Sequence, residues 1–99
     1  MMEVRFANKI LQRLEQDIDF TAGFAKDIVR AFRMRMQFIR AATDERAFYA
    51  MKSLHFEKLH GDRKHQHSMR LNSQWRLIIE IEKGQPKNRL VIVEIVDYH

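Results

Sequence analysis

The side chains able to carry chemistry crowd into one stretch and into the end of the chain. Between Leu54 and Arg76 stand His55, His60, His65 and His67, the cations Lys58, Arg63, Lys64, Arg70 and Arg76, and the only tryptophan, Trp75. Imidazole ordinarily titrates near neutral pH, so His60 and the final residue His99 are the best-tuned groups for moving protons. Arg70 and Arg76 can grip phosphate oxygens through paired N–H donors. The chain closes on Asp97-Tyr98-His99; Tyr98 can stack on a base or orient a phosphate, and Asp97 can hold a histidine or arginine in place. Together these groups suit binding a phosphate and moving protons at it. His65 and His67 are two apart and could bind zinc, but no third ligand stands in evident position, so no metal is expected. Each group also has a plainer use: a frayed C-terminal tail, a Trp75 packed in the core, an exposed strand cation at Arg76.

Those residues need a scaffold, and the sequence supplies one. Gly61-Asp62-Arg63 reads as a turn, because glycine tolerates positive φ and aspartate hydrogen-bonds its own backbone. Lys64 to Leu71 reads as a strand, with Met69 and Leu71 on one face and Gln66, Ser68 and Arg70 on the other. Asn72-Ser73 turns the chain into a second strand in which Trp75, Leu77, Ile79 and Ile81 oppose Arg76, Glu80 and Glu82. Lys83 to Asn88 is a hairpin loop, and the nearly all-apolar Leu90 to Val96 fits a central strand covered on both faces.

The N-terminal half reads as a short strand and helices. Met2, Val4 and Phe6 alternate with Glu3 and Arg5. Asn8 caps a helix running to about Asp17, with Ile10, Leu11, Leu14 and Ile18 on one face, and Thr21-Ala22-Gly23 breaks it. In a second helix, Phe24 to Ala41, the residues Phe24, Ala25, Ile28, Val29, Phe32, Met36 and Ile39 form an apolar arc, while Lys26, Arg30, Arg33 and Arg40 form a cationic stripe. The stripe is a candidate contact with nucleic acid or an acidic partner, although a solvated helix face has the same spacing. Arg35 falls inside the apolar arc, where periodicity gives it no role. Thr43-Asp44 caps a short helix through Met51, with Phe48 and Met51 turned inward.

The order is β-α-α-β-β-β, an α+β domain with one mainly antiparallel sheet and helices packed on one face. If the helices cover Met69, Leu77, Ile79 and the side of Val91, Val93 and Ile95, the other face shows Arg70, Arg76, Glu94 and Tyr98. Ninety-nine residues, 45% apolar, suit one small domain spanning 1–99. The absence of cysteine excludes disulfides and thiol chemistry. The N-terminus is too polar for a signal peptide, and no apolar run approaches membrane-spanning length, so a soluble cytoplasmic protein without a membrane partner is expected. A net charge of +5 and a pI of about 9.9 point to an anionic partner, nucleic acid first.

Three blocks resemble a known family. Glu57-Lys58-Leu59-His60-Gly61-Asp62-Arg63, Ser68-Met69-Arg70-Leu71-Asn72-Ser73-Gln74-Trp75-Arg76 and Glu94-Ile95-Val96-Asp97-Tyr98-His99 are similar to the HigB toxins of the RelE/ParE toxin–antitoxin superfamily. The family more often has lysine at position 60, glycine at 65 and aspartate at 73. The resemblance implies a RelE-like fold and a ribosome-dependent messenger RNA endoribonuclease. It implies a site built from Asp97, Tyr98, His99, Arg70 and Arg76, extending to Lys58 and His60. Arg63, Lys64 and His67, from the same basic stretch, are candidate RNA contacts read from the residues themselves, and neither His55 nor His67 aligns with a catalytic position of the family. The resemblance also implies a cognate antitoxin, a HigA-like helix-turn-helix protein, alongside the ribosome and messenger RNA as partners. Such cleavage needs no cofactor, because the 2′-OH of the RNA attacks the adjacent phosphate while the protein supplies a base, an acid and cations. Two alternatives stay open: a ParE-like inhibitor of DNA gyrase, which needs no proton-transfer groups, and a noncatalytic RNA-binding module.

Overall fold

A computed structural model describes residues 2–84 and 87–97. Glu3–Phe6 forms β1, and its partly buried Val4 and Phe6 point toward the core. Asn8 then starts α1, Lys9–Gln16: its side chain accepts from the Leu11 N–H at 3.0 Å, satisfying one of the donors a helix leaves open at its start. The same amide donates to the Val93 carbonyl at 2.9 Å, pinning the helix start to the sheet.

Sequence periodicity places Ile18 on the buried face of this helix; the structure does not. The helix stops at Gln16, and Ile18 is 80% exposed, as Ile10 is at 56%. The cause lies far along the chain. Arg33 donates to the carbonyls of Leu14, Asp17 and Phe20 at 2.9–3.0 Å, drawing the segment after the helix against its neighbour. That neighbour is α2, Lys26–Ala41, entered through a turn with positive φ at Ala22 and Gly23. It buries Ile28, Val29, Phe32, Met36 and Ile39, the arc expected from the sequence. Helix α3, Arg46–Ala50, begins where Asp44 accepts from the Arg46 N–H. Phe48 is fully buried, but Met51 lies past the helix end in extended backbone and is 43% exposed, against expectation.

The remaining strands are β2, Glu57–Lys58; β3, His67–Arg70; β4, Trp75–Glu82; and β5, Arg89–Asp97. Among the described residues they join β1 in one five-stranded sheet of order β1-β5-β4-β3-β2, antiparallel except for the β1–β5 pair. Two differences from expectation stand out. β2 falls within Lys52 to Arg63, which the sequence pattern alone reads as loop, since two residues show no alternation. β3 begins at His67 rather than Lys64, because Gly61–Arg63 winds into a single 3-10 turn.

The third difference is one of phase. Ile78 pairs with Glu94 while Ile79 pairs with Ile92, leaving Val93 as the extra residue of a bulge. Below the bulge Leu90 and Ile92 join the helix-covered core; above it Ile95 does. Val91 is therefore on the opposite face from the one expected. That core also holds Leu14, Phe32, Met36, Ile39, Phe48, Met69, Leu77 and Ile79.

Candidate functional site

The sheet face turned away from the helices carries Ser68 and Arg70 from β3 and Arg76 and Glu80 from β4. The tight Asn72–Ser73 turn fixes this register: the Asn72 carboxamide accepts from the N–H groups of Gln74 and Trp75 at 2.8 and 2.7 Å. Arg70 and Arg76 are thereby placed directly opposite each other. Two like charges so paired are ordinarily unfavourable, and Arg35 adds a third guanidinium by donating to the Arg70 carbonyl at 2.9 Å. Burial, and then the Arg70 charge, push the Arg35 pKa below its usual value. This answers the question of Arg35 within the apolar arc: it braces the end of β3.

The neighbours of the pair are polar. Arg76 Nη1 lies 3.3 Å from Ser68 Oγ, 3.4 Å from Glu57 Oε1 and 3.5 Å from the His55 carbonyl. Arg70 Nη1 stands 3.2 Å from His55 Nε2. Arginine can only donate, so a hydrogen bond at this contact requires Nε2 to accept, with the ring's proton on Nδ1. His55 itself sits at φ +47°, ψ +48°, a left-handed conformation that costs a non-glycine residue roughly 1–3 kcal/mol. The turn aims both its ring and its carbonyl at the two arginines. The geometry assembles a dense patch of donors able to hold a phosphodiester, with a carboxylate and an imidazole beside it.

The expected site residues divide. Arg70 and Arg76 come together as read. Asp97 pairs with Trp75 at the end of β5, and its carboxylate accepts from Gln74 at 2.8 Å. Tyr98 and His99 lie outside the described residues. His60 and Lys64 are exposed at the two ends of the 3-10 turn. Arg63 reaches Gln66 at 2.9 Å and Glu94 at 3.3 Å, within a network that Gln66 extends to Glu80. Lys58 and His67 pair across β2 and β3 on the helix-facing side, away from Arg76. His65 belongs to the turn and stands 3.6 Å from Glu80, so it does not share a strand with His67. Among the described residues no three His, Asp or Glu side chains gather as a metal would need.

The cationic stripe divides as well. Besides the Arg33 contacts, Arg40 grips Glu15 with two bonds of 2.6 and 2.7 Å. Both bind α1 to α2, leaving Lys26 and Arg30 as the exposed remainder. Conversely, sequence reasoning gave no role to Glu57 or Ser68 and left His55 unaligned. Strand alternation about Ser68 and Arg70 is the one signal that could have placed Ser68 in the site.

His67 has a different use. Its ring stacks on Phe56 with centroids 5.0 Å apart, and its buried Nδ1 has no partner among the described residues. Burial, then the charge of Lys58, hold its pKa below the usual histidine value, with Glu45 opposing. The unfolded chain therefore binds a proton more readily, so stability is full above that usual value and is lost as pH falls through the folded one. Urea midpoints at about pH 7.5 and about pH 5.5 should diverge in the wild type and diverge less in His67→Phe, which keeps a ring on Phe56. Equal divergence in the two proteins would contradict this.

Comparison with known proteins decides what carries this arrangement. Residues 4–99 match the family model for the RelE-like toxin of type II toxin–antitoxin system HigB. The chain belongs to the HigB-like toxin family. Two solved structures share the toxin's fold. One is the YoeB/ParE toxin from Agrobacterium tumefaciens (TM-score 0.63, 13% identity, 99% of this chain and 100% of that chain). The other is YafQ from E. coli strain BL21(DE3) (TM-score 0.58, 10% identity, 98% and 93%). No curated protein sequence matches the chain. This HigB-like toxin is thus the toxin component of a type II system, for which an antitoxin partner is implied. Among its described residues no helix is long and apolar enough to cross a membrane.

Proposed function

We propose that this toxin is a single-domain, cytoplasmic endoribonuclease that cuts messenger RNA held in the ribosomal A site. Arg70 and Arg76 hold the scissile phosphate and offset the charge that builds on it. The RNA 2′-OH attacks that phosphate in line; its proton goes to a base and the leaving 5′-oxygen receives one from an acid. His99, Tyr98 and His60 are the proton-handling groups, and Glu57, beside Arg76, is a further acceptor. No metal takes part. The observation that carries this proposal is the directly opposed Arg70–Arg76 pair on the sheet face turned away from the helices, because two unfavourably close guanidiniums gain most when an anion lies between them.

Among the described residues that face has few aromatic platforms for stacking single-stranded RNA, so binding to free RNA should be weak and steeply salt-dependent. The ribosome then supplies the positioning. The test compares programmed ribosomes with naked messenger RNA at physiological salt. Cleavage should require the ribosome and leave 2′,3′-cyclic phosphate and 5′-hydroxyl ends. Efficient cutting of naked RNA would remove the ribosome from the mechanism. Inhibition of gyrase supercoiling without RNA cleavage would replace it with the ParE-like activity.

A further inference from the structure

One surface is left over after the fold and the arginine face are accounted for. Lys26, Arg30 and Met34 follow one another at intervals of four along α2 and form a single exposed ridge. Met34 is 55% exposed, and Ile18, expelled from α1 by the early helix end, is 80% exposed. A hollow lies on each side of the ridge. One, of about 370 Å³, is lined by Ile18, Val29 and Gln37 together with the ridge residues. The other, of about 390 Å³, is lined by Ala31, Arg35 and Leu71 with the same ridge.

The charge on this ridge is available. The ion pairs among the described residues engage Arg5, Arg13, Arg40, Arg46, Arg63, His65, Arg76 and Arg89, and neither Lys26 nor Arg30. Asp27, on the flank, already accepts from Asn72 at 3.2 Å. Cations alternating with exposed apolar side chains, and grooved on both sides, match an amphipathic peptide better than a phosphate backbone, which gains nothing from covering Ile18 or Met34.

We infer that this ridge is the seat of an acidic, amphipathic segment of the cognate antitoxin. Its apolar side chains fill the two hollows, and its carboxylates meet Lys26 and Arg30. The docking site rests on membership of a toxin–antitoxin family and stands apart from the cleavage proposal.

The probe is the purified product of the open reading frame adjoining the gene for this chain. It is titrated by calorimetry against the full-length toxin in RNA-free buffer, so failure here says nothing about cleavage. Met34→Glu and Arg30→Glu, both at exposed helix positions that should not disturb folding, are each expected to weaken binding about tenfold or more. Ile10→Glu, exposed but off the ridge, should leave binding unchanged. Hydrogen exchange in the complex should slow over residues 18–37. Wild-type affinity in both ridge variants, no binding by the wild-type toxin, or protection confined to the Arg70–Arg76 face would each overturn the assignment. So would ridge variants that keep antitoxin affinity but lose ribosome co-sedimentation, which would give the surface to RNA. Self-association of the toxin abolished by Met34→Glu, with antitoxin binding intact, would give it to a second copy and overturn the proposal equally.

Discussion

Arg76→Ala is expected to slow cleavage of ribosome-bound messenger RNA by about 10²–10³-fold, the usual cost of removing one donor from a developing oxyanion. Growth arrest should disappear with it. The fold should survive, since Arg76 lies outside the helix-covered core and stands opposite a like charge. Arg76→Lys tests what the guanidinium contributes beyond charge. It keeps a cation but loses the planar fork, so an intermediate rate is expected. His99→Ala should fall as far as Arg76→Ala if that imidazole moves a proton in the reaction. Single-turnover rates with normal expression and unchanged thermal midpoints are the measurement. Rates within threefold of wild type in both alanine variants would remove these residues from catalysis.

Phe48→Ala is expected to cost about 3–5 kcal/mol of stability, a large share of the roughly 5–15 kcal/mol that holds a domain together. Phe48 is fully buried, with its ring 6.0 Å from Phe38 and 5.3 Å from Phe56. Phe56 in turn stacks on His67 and meets Tyr49 edge-on at 4.9 Å. This aromatic cluster lies under the segment that presents His55 and Glu57 to the arginines. Loss of Phe48 should therefore lower activity before it unfolds the chain, by freeing that segment. Urea denaturation gives the stability change, and a loss below about 1 kcal/mol would mean that the cluster is not the support described.

What the sequence could reveal depended on how locally each feature is determined. Arg70 and Arg76 share a face because strand alternation has a period of two and the Asn72–Ser73 turn is short enough to set the register. The phase of β5 was not legible. A nearly unbroken apolar run such as Leu90 to Val96 shows no alternation, and the Val93 bulge that shifts it is held by Asn8 from the other end of the chain. Ile18 looked buried because helical periodicity continues through it, whereas the helix is stopped by Arg33, a partner from another helix. Arg35 looked anomalous for the same reason: the carbonyl it serves belongs to Arg70. The site was legible in its arginines, whose types suit phosphate, and less so in its supporting groups. Nothing local announces that His55 adopts a positive φ or that two residues at Glu57–Lys58 form a strand.

Cleavage by the RNA's own 2′-OH is the central claim, and replacing that hydroxyl tests it most directly. Ribosomes are programmed with a message carrying a single 2′-deoxynucleotide on the 5′ side of the scissile phosphate in the A-site codon. The wild-type toxin should leave the deoxy message intact at that bond while cutting the all-ribose message to a 2′,3′-cyclic phosphate. Cutting of the deoxy message at the same bond and a comparable rate would contradict it.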